Sequence, residues 1–422
     1  MILYIFSMLW ALLALLVFLY VIQSPQKFER LPSPILLLVS ISLFFRLIPA
    51  FFLAPGSNFD IESYRLVGQH VVAGEDVYSA EDTLKRYPYL PFQMYWSALS
   101  HLISERIPLS FESVVRLAPI LADLLICLLI YYWSANQNRQ EPALWAGLLY
   151  ALNPLSIYVS AYHGQFDAIP VVMIILAFIY AEKNRAGISG LWLGLGVLTK
   201  SWPVLALLLG GIYFRTKWQK LIFLIMFGIV PLAGVLIYAF SYHANILTVI
   251  KRATTYDSGI GVWGYTYLLR LLGLASVSFQ QFYNEYYGIS KYVTLLIIFM
   301  VWLLIARKQG LFAGMLTILL AFLAFTHAFS IQYLIWLLPF AILDQQFRWL
   351  KWYTLAAFSY MFLTYHTLIL RMTINQLIPW PQADLALIIP TGLAAWLVVL
   401  AWFIERRKGY FRISSIVRFF LI

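Results

Sequence analysis

The chain has 422 residues, of which 62% are hydrophobic and only 11% are charged. A water-soluble domain cannot bury that much apolar surface, so the composition predicts an all-α, polytopic membrane protein. The formal charge of +11 does not indicate a nucleic-acid partner, because no recognisable nucleic-acid-binding module accompanies it. The excess suits contacts between cytoplasmic loops and anionic membrane lipids. The single cysteine, Cys127, excludes a disulfide framework and a cysteine metal site.

The apolar runs predict one integral membrane domain over residues 1–422, with about 12–13 transmembrane helices. The first run lacks a preceding basic segment and a cleavage site, so we expect a retained span and not a cleaved signal peptide. Lys200 and Pro203 interrupt one run and favour two half-spans there, although a single kinked span is the alternative. The predicted spans are 2–22, 34–54, 112–133, 143–160, 167–183, 188–199, 203–214, 219–240, 292–307, 311–328, 331–344, 350–371 and 385–404.

Two long polar and aromatic loops, 55–111 and 241–291, separate these runs. The first is expected to contain surface helices near 59–73 and 92–104. An N-terminus on the outer face places most short basic loops and the basic tail 405–422 on the cytoplasmic side. Both long loops then lie on the extracytoplasmic face.

The main catalytic candidate is Asp60, at the head of the first long loop. A carboxylate placed where a span meets water can act as a general base. The alternative is a solvated boundary residue, which is common at span ends. Glu62 lies two residues further on and would face elsewhere on a helix, so only one of the two is expected to be the base.

A second polar group lies in the short turn between the fourth and fifth predicted spans. His163, Gln165 and Asp167 place an imidazole, an amide and a carboxylate within five residues, although a structural role is the alternative. Their spacing matches no zinc motif. Lys200, at the helix break, is a candidate phosphate ligand because a cation there can meet an anion at the interface.

The remaining candidates are aromatic, amide or basic side chains in the outer loops and turns. Tyr89 belongs to a rigid aromatic segment, and Trp263 and Tyr265 belong to a glycine-rich run of the second long loop. Interfacial anchoring is the alternative for Tyr89, and a lipid-headgroup contact is the alternative for Arg252. His327 and Gln332 occupy another outer turn, where simple interfacial polarity is the alternative.

Taken in order, these motifs resemble the GT-C superfamily of membrane glycosyltransferases that use polyprenyl-phosphate sugars. The greatest similarity is to the bacterial, mannosyltransferase-like glycosyltransferase family 87. The resemblance extends over most of the chain and rests on Asp60 and on the segments 74–78 (GEDVY), 87–91 (YPYLP), 163–167 (HGQFD), 198–203 (LTKSWP) and 332–339 (QYLIWLLP).

The resemblance implies a GT-C-like fold and an inverting transfer of a hexose or pentose, most simply mannose. A polyprenyl-phosphate sugar would be the donor and a lipid or glycan the acceptor, on the extracytoplasmic face of a bacterial plasma membrane. Asp60 would be catalytic, and Lys200, Arg252 and His327 would bind the donor phosphate. The expected substrate-binding residues are Glu62, Tyr89, His163, Gln165, Asp167, Trp263, Tyr265 and Gln332.

No cofactor is expected, and the protein is expected to act as a monomer. The superfamily often has two adjacent acidic residues at the catalytic position, but here Phe59 precedes Asp60. We therefore do not favour a divalent metal. Two alternatives come from other classes: a lipid-linked sugar flippase or transporter, which Arg46 within the second span would favour, and an oligosaccharide-lipid ligase or polymerase.

Overall fold

The computed structural model describes residues 2–29, 31–53, 58–137, 141–255, 262–374 and 383–407. Within these ranges every regular element is a helix, which confirms the all-α polytopic prediction. Most of the predicted basic tail, residues 408–422, lies outside the described residues. The same holds for residues 256–261 of the second long loop.

The described residues form two compact units, Met1–Asp257 and Ser258–Ile422. The expectation of one domain over the whole chain stays a prediction beside this division. The helices of the first unit are α1 (Ile2–Ile22), α2 (Pro34–Ile48), α3 (Phe59–Ala73), α4 (Gln93–Arg106), α5 (Phe111–Val115), α6 (Leu117–Ala135), α7 (Ala143–Ala151), α8 (Pro154–Ile157), α9 (Ala168–Glu182), α10 (Ala186–Thr199), α11 (Val204–Tyr213), α12 (Lys217–Ser241) and α13 (Ile246–Thr255).

The second unit is also built from helices, several of them long. Short 3₁₀ turns connect some of these helices, for example at Ile331–Ile335. The helices of the second unit are α14 (Gly264–Ala275), α15 (Val277–Leu304), α16 (Leu311–Phe325), α17 (Leu338–Leu343), α18 (Phe347–Ile374) and α19 (Ala383–Arg407).

Six helical segments of the described chain are long and apolar enough to cross a membrane, and a helix pair bent by 46° makes a possible seventh. The other predicted spans fall on the bent pair, on shorter helices, on the long helix α18, or on short helical turns. The described residues therefore give fewer full-length spans than the apolar runs predict. The six segments are Ile2–Ile22, Pro34–Leu53, Phe111–Ala135, Lys217–Ser241, Val277–Lys308 and Ile388–Arg407.

The predicted helix break at Lys200 is confirmed, since α10 ends at Thr199 and α11 begins at Val204. The second long loop differs more from expectation. Helix α15 begins at Val277, well before the predicted span at 292–307. Residues 277–291 are mostly polar and aromatic, so hydropathy does not reveal that they continue an apolar helix.

The two surface helices of the first long loop are confirmed as α3 and α4. Gly68 lets them approach closely, because a Cβ atom there would lie 2.5 Å from the backbone oxygen of Ser97. The segment that follows α3 is held to α12 by Tyr238. Its hydroxyl donates to Asp76 at 2.8 Å and accepts from the backbone N–H of Val77 at 2.9 Å. These contacts fix the loop on one side of the first unit.

Arg46 forms a fully buried ion pair inside the first unit. Its Nε lies 2.8 Å from Asp123 Oδ2, and both side chains have no exposed surface. Arg46 also donates to the Ser156 hydroxyl and to the backbone oxygen of Ala151, while the Tyr150 hydroxyl donates to Asp123. Both charges are enclosed and paired with each other, so the Arg46 side chain offers no open site to a lipid-linked sugar. Arg46, the residue that favoured a transporter, therefore has a structural role within the first unit.

The Arg46–Asp123 pair yields a stability prediction. Arg46→Met or Asp123→Leu should each lower the free energy of unfolding by about 3–5 kcal/mol, because each leaves the partner charge buried alone. The double variant should lose clearly less than the sum of the two. Thermal unfolding of the purified protein in detergent measures all three. Losses that simply add would contradict a direct coupling of the two side chains.

Candidate functional site

Asp60 occupies the second position of α3, and Asn58 caps that helix. The Asn58 side-chain oxygen accepts hydrogen bonds from the backbone N–H groups of Asp60 and Ile61, at 3.0 and 2.9 Å. The Asn58 amide donates to the backbone oxygen of His163 at 2.9 Å. One side chain therefore starts α3 and ties it to the distant polar turn. The helix N-terminus also stabilises the negative charge of Asp60.

The polar turn between α8 and α9 depends on Gly164. A π-helical turn, Tyr158–His163, ends at this glycine, whose φ of 85° lies in the left-handed region. The N–H groups of Gly164 and Gln165 both donate to the backbone oxygen of Val159, at 3.1 and 3.0 Å. This reversal directs the side chains of His163 and Gln165 towards α3.

Both side chains donate to the same oxygen of Asp60. His163 Nε2 and Gln165 Nε2 each lie 2.7 Å from Asp60 Oδ2. Asp60 Oδ1 receives no hydrogen bond from any described residue. The Asp60 side chain is 32% exposed. The carboxylate is therefore fixed through one oxygen and open at the other.

The surroundings of Asp60 keep it ionised. Burial alone would raise its pKa, but the hydrogen bonds from His163 and Gln165, together with electrostatic interactions with His163 and Lys200, lower the pKa below its usual value. Because the Asp60 pKa is lowered in the folded protein, the ionised carboxylate stabilises the fold at pH values above the ordinary aspartate pKa. This stabilisation is lost as the pH falls through the Asp60 pKa of the folded protein. Asp60 is therefore ionised at neutral pH.

Gln165 connects Asp60 to a buried ion pair. Its Oε1 accepts from the Tyr64 hydroxyl at 2.9 Å and from Lys200 Nζ at 3.2 Å. Lys200 Nζ also lies 2.6 Å from Asp167 Oδ2, with the Lys200 side chain 5% exposed and that of Asp167 fully buried. The resulting network runs without a break from Asp167 to Asp60.

Aromatic rings line the buried end of this network. Lys200 Nζ lies 4.4 Å from the ring centre of Phe166 and 5.1 Å from that of Tyr89. The Tyr89 ring packs edge-on against Phe166, with the ring centres 5.0 Å apart. Cation–π contacts of this kind help a lysine remain charged away from water.

The first unit thus brings six of the predicted residues together, although they come from separate stretches of the sequence. Two others lie elsewhere on this unit: Glu62 pairs with Arg65, with nitrogen and oxygen 3.3 Å apart, and Arg252 lies on α13. The six residues that meet are Asp60, Tyr89, His163, Gln165, Asp167 and Lys200.

The other four predicted residues lie in the second unit. The Trp263 ring stacks on Phe329, with the ring centres 4.2 Å apart, and is 1% exposed, which favours a structural role. The Tyr265 hydroxyl lies 2.6 Å from that of Tyr286. The remaining two, His327 and Gln332, are half-buried, one beside the ring of Tyr287 and the other in the 3₁₀ turn.

Sequence reasoning assigned no role to Asn58, Tyr64 or Arg86. Tyr64 could have been found, because it lies four residues after Asp60 on a predicted helix and therefore on the same face. The bond from Asn58 to His163 and the contacts of Arg86 with α3 join residues far apart in the sequence, which no local pattern encodes.

Among the described residues no three His, Cys, Asp or Glu side chains converge in a way that could hold a metal ion. The expectation that no metal or other cofactor takes part stays a prediction. The network described above can accept a proton at Asp60 without one.

Comparison with known proteins adds two findings. The model of glycosyltransferase family 87 matches residues 97–327, a range that contains His163, Gln165 and Lys200 and begins after Asp60. A protein named GPI mannosyltransferase 1, from Kluyveromyces lactis, is 23% identical to this chain over 287 residues. The aligned part is 63% of this chain and 69% of that protein.

The turn geometry predicts different effects for two glycines with positive φ. Alanine at Gly164 or Gly74 should cost about 1–2 kcal/mol of stability for the left-handed conformation. At Gly164 the added Cβ would also lie 3.1 Å from Ile61 Cδ1 and 3.2 Å from Arg116 Cγ, whereas at Gly74 nothing lies within 4 Å. Thermal unfolding should therefore show the larger loss for Gly164→Ala. Equal losses would show that the turn adjusts freely to the extra carbon.

Proposed function

Because the chain belongs to glycosyltransferase family 87, we propose that it is an inverting transferase acting on a polyprenyl-phosphate sugar. The transferred sugar is a hexose or pentose, with mannose as the first candidate because a relative is named a mannosyltransferase. The acceptor is a lipid or glycan, and the reaction takes place on the extracytoplasmic face of the membrane. The protein acts as a monomer.

The observation that carries this proposal is the state of the Asp60 carboxylate. Its Oδ2 is held by His163 and Gln165, Oδ1 accepts nothing from the described residues, and the side chain is 32% exposed. A general base needs such an arrangement, because the oxygen that takes the proton must be reachable and its direction must be fixed.

The reaction is a single displacement at the anomeric carbon. The acceptor hydroxyl attacks this carbon and forms the new glycosidic bond, while the bond from the anomeric carbon to the phosphate oxygen breaks. Asp60 Oδ1 takes the hydroxyl proton, and the electron pair of the broken bond leaves with the polyprenyl phosphate. The phosphate is already a good leaving group, so the displacement needs no strong general acid, unlike glycoside hydrolysis.

The cations have different parts in this scheme. Lys200 already meets Asp167, so it supplies positive potential and orients Gln165, and direct contact with phosphate requires the ion pair to open. Arg252 and His327 stay predicted phosphate ligands. The exposed apolar faces of the spans, such as that of α12, provide contact with the lipid tail of the donor.

Asp60→Asn tests the base directly. The amide keeps the size of the carboxylate but cannot accept a proton, so transfer should fall by about 10²–10⁴-fold. The measurement is transfer of labelled sugar from synthetic polyprenyl-phosphate donors by purified protein. Mannose and arabinofuranose donors are used in turn, with and without EDTA.

Glu105→Gln is the matched control, because it makes the same chemical change on the surface helix α4, away from the network. It should transfer like the wild type. An Asp60→Asn variant that transfers equally well would remove Asp60 as the base, and loss of wild-type activity in EDTA would contradict metal-independent transfer.

His163→Ala tests how the Asp60 pKa is set. Removing this hydrogen bond and electrostatic interaction should raise the Asp60 pKa, so the acid limb of the kcat/KM profile should move to higher pH. A pH series of initial rates for wild type and variant measures the shift. His101→Ala on α4 is the control, and its acid limb should stay in place. An unmoved limb in His163→Ala would mean that another group controls it.

A further inference from the structure

Arg86 lies against the exposed end of α3, next to the catalytic candidate. Its guanidinium carbon is 4.7 Å from the ring centre of Phe59, and its Nη1 donates to the Ser63 hydroxyl at 3.3 Å. Phe59 is 64% exposed, so this contact forms at the protein surface. The planar guanidinium rests on an aromatic ring, a contact that leaves its edge available to a ligand.

The position of Arg86 relative to Asp60 follows from the helix. Asp60 and Ser63 are three residues apart on α3, so their Cβ atoms are about 5–6 Å apart on one side of the helix. The guanidinium that contacts Ser63 therefore lies roughly one helical turn from the Asp60 carboxylate. A phosphoryl group at Arg86 would therefore have its attached sugar on the side of α3 that carries Asp60.

Arg86 differs from the neighbouring cations in its ion pairing. Arg65 pairs with Glu62 and Glu112, and Lys200 pairs with Asp167. In the described part of the chain, no carboxylate lies within ion-pair distance of Arg86, whose side chain makes its one hydrogen bond to a neutral hydroxyl. A fixed guanidinium with unused donors is suited to bidentate binding of phosphate oxygens.

We propose that Arg86 binds the phosphate of the polyprenyl-phosphate sugar and of the polyprenyl-phosphate product. This inference rests on the proposed function and names the cation that meets the leaving group. Lys200 suits the position less well, because its ammonium is buried and already paired with Asp167. Negative charge that grows on the departing oxygen is then stabilised by two parallel N–H donors of Arg86.

Binding of polyprenyl phosphate tests the proposal without requiring turnover. The full-length protein is placed in phosphatidylcholine nanodiscs and titrated with polyprenyl phosphate, with polyprenol, which lacks the phosphate, and with inorganic phosphate. Arg86→Gln should weaken polyprenyl-phosphate binding by at least about tenfold, because a charge-assisted bidentate contact is lost. Arg86→Lys should show a smaller loss, and polyprenol binding should not change.

Lys85→Gln is the matched control, since it removes the same charge from the adjacent exposed residue. Its binding should stay within about twofold of wild type, as expected for an isolated surface charge. Equal weakening by both variants would overturn the proposal in favour of a general surface potential. Wild-type affinity in Arg86→Gln, or equal affinity of the wild type for polyprenol, would overturn it as well.

Two further arms separate the remaining outcomes. In phosphatidylglycerol nanodiscs the effect of Arg86→Gln should persist, and its disappearance would assign Arg86 to bulk lipid headgroups. Inorganic phosphate that binds as tightly as polyprenyl phosphate would make the ligand a free anion.

If the wild type binds polyprenyl phosphate through Arg86 but transfers no sugar, the proposed function fails while the Arg86 site stands. If Arg86→Gln shows no cooperative thermal unfolding, it is not folded. The affinity of Arg86→Lys for polyprenyl phosphate then tests the proposal.

Discussion

The bridging amide of Gln165 is the contact on which the candidate site depends. Its nitrogen donates to Asp60, and its oxygen accepts from Tyr64 and Lys200. An ionised carboxylate only accepts hydrogen bonds and an ammonium only donates them, so the amide has one satisfactory orientation. The Lys200–Asp167 pair thus sets the direction of Gln165, and Gln165 sets the direction of Asp60.

This arrangement explains why charged residues are buried here despite their cost. A desolvated lysine or aspartate is unfavourable alone, but each is stabilised when its partner and its remaining hydrogen bonds are supplied. The same logic applies to Arg46 and Asp123 deeper in the first unit. The two networks differ in access: Arg46 is sealed on all sides, whereas the network of Gln165 ends at a carboxylate that reaches solvent. Only the latter has an open end for chemistry.

Local signals predicted much of this molecule. The length of the apolar runs predicted most of the long helices. Helix α3 has its predicted bounds, with Asn58 capping its start and Gly74 its end. Contacts between residues far apart could not be read in this way. Arg46 looked like a transport residue because its partner Asp123 comes 77 positions later. The range of α15 and the position of Arg86 also depend on packing that hydropathy does not report.

The attachment of Asp60 through a single oxygen has a stereochemical consequence. An unrestrained carboxylate rotates about its Cβ–Cγ bond and exchanges its two oxygens. With His163 and Gln165 both holding Oδ2, this rotor is locked, and Oδ1 points in one direction only. A hydroxyl group that meets Oδ1 must then lie on one side of the carboxylate, and reaching the carboxylate from the other side would require both hydrogen bonds to break first.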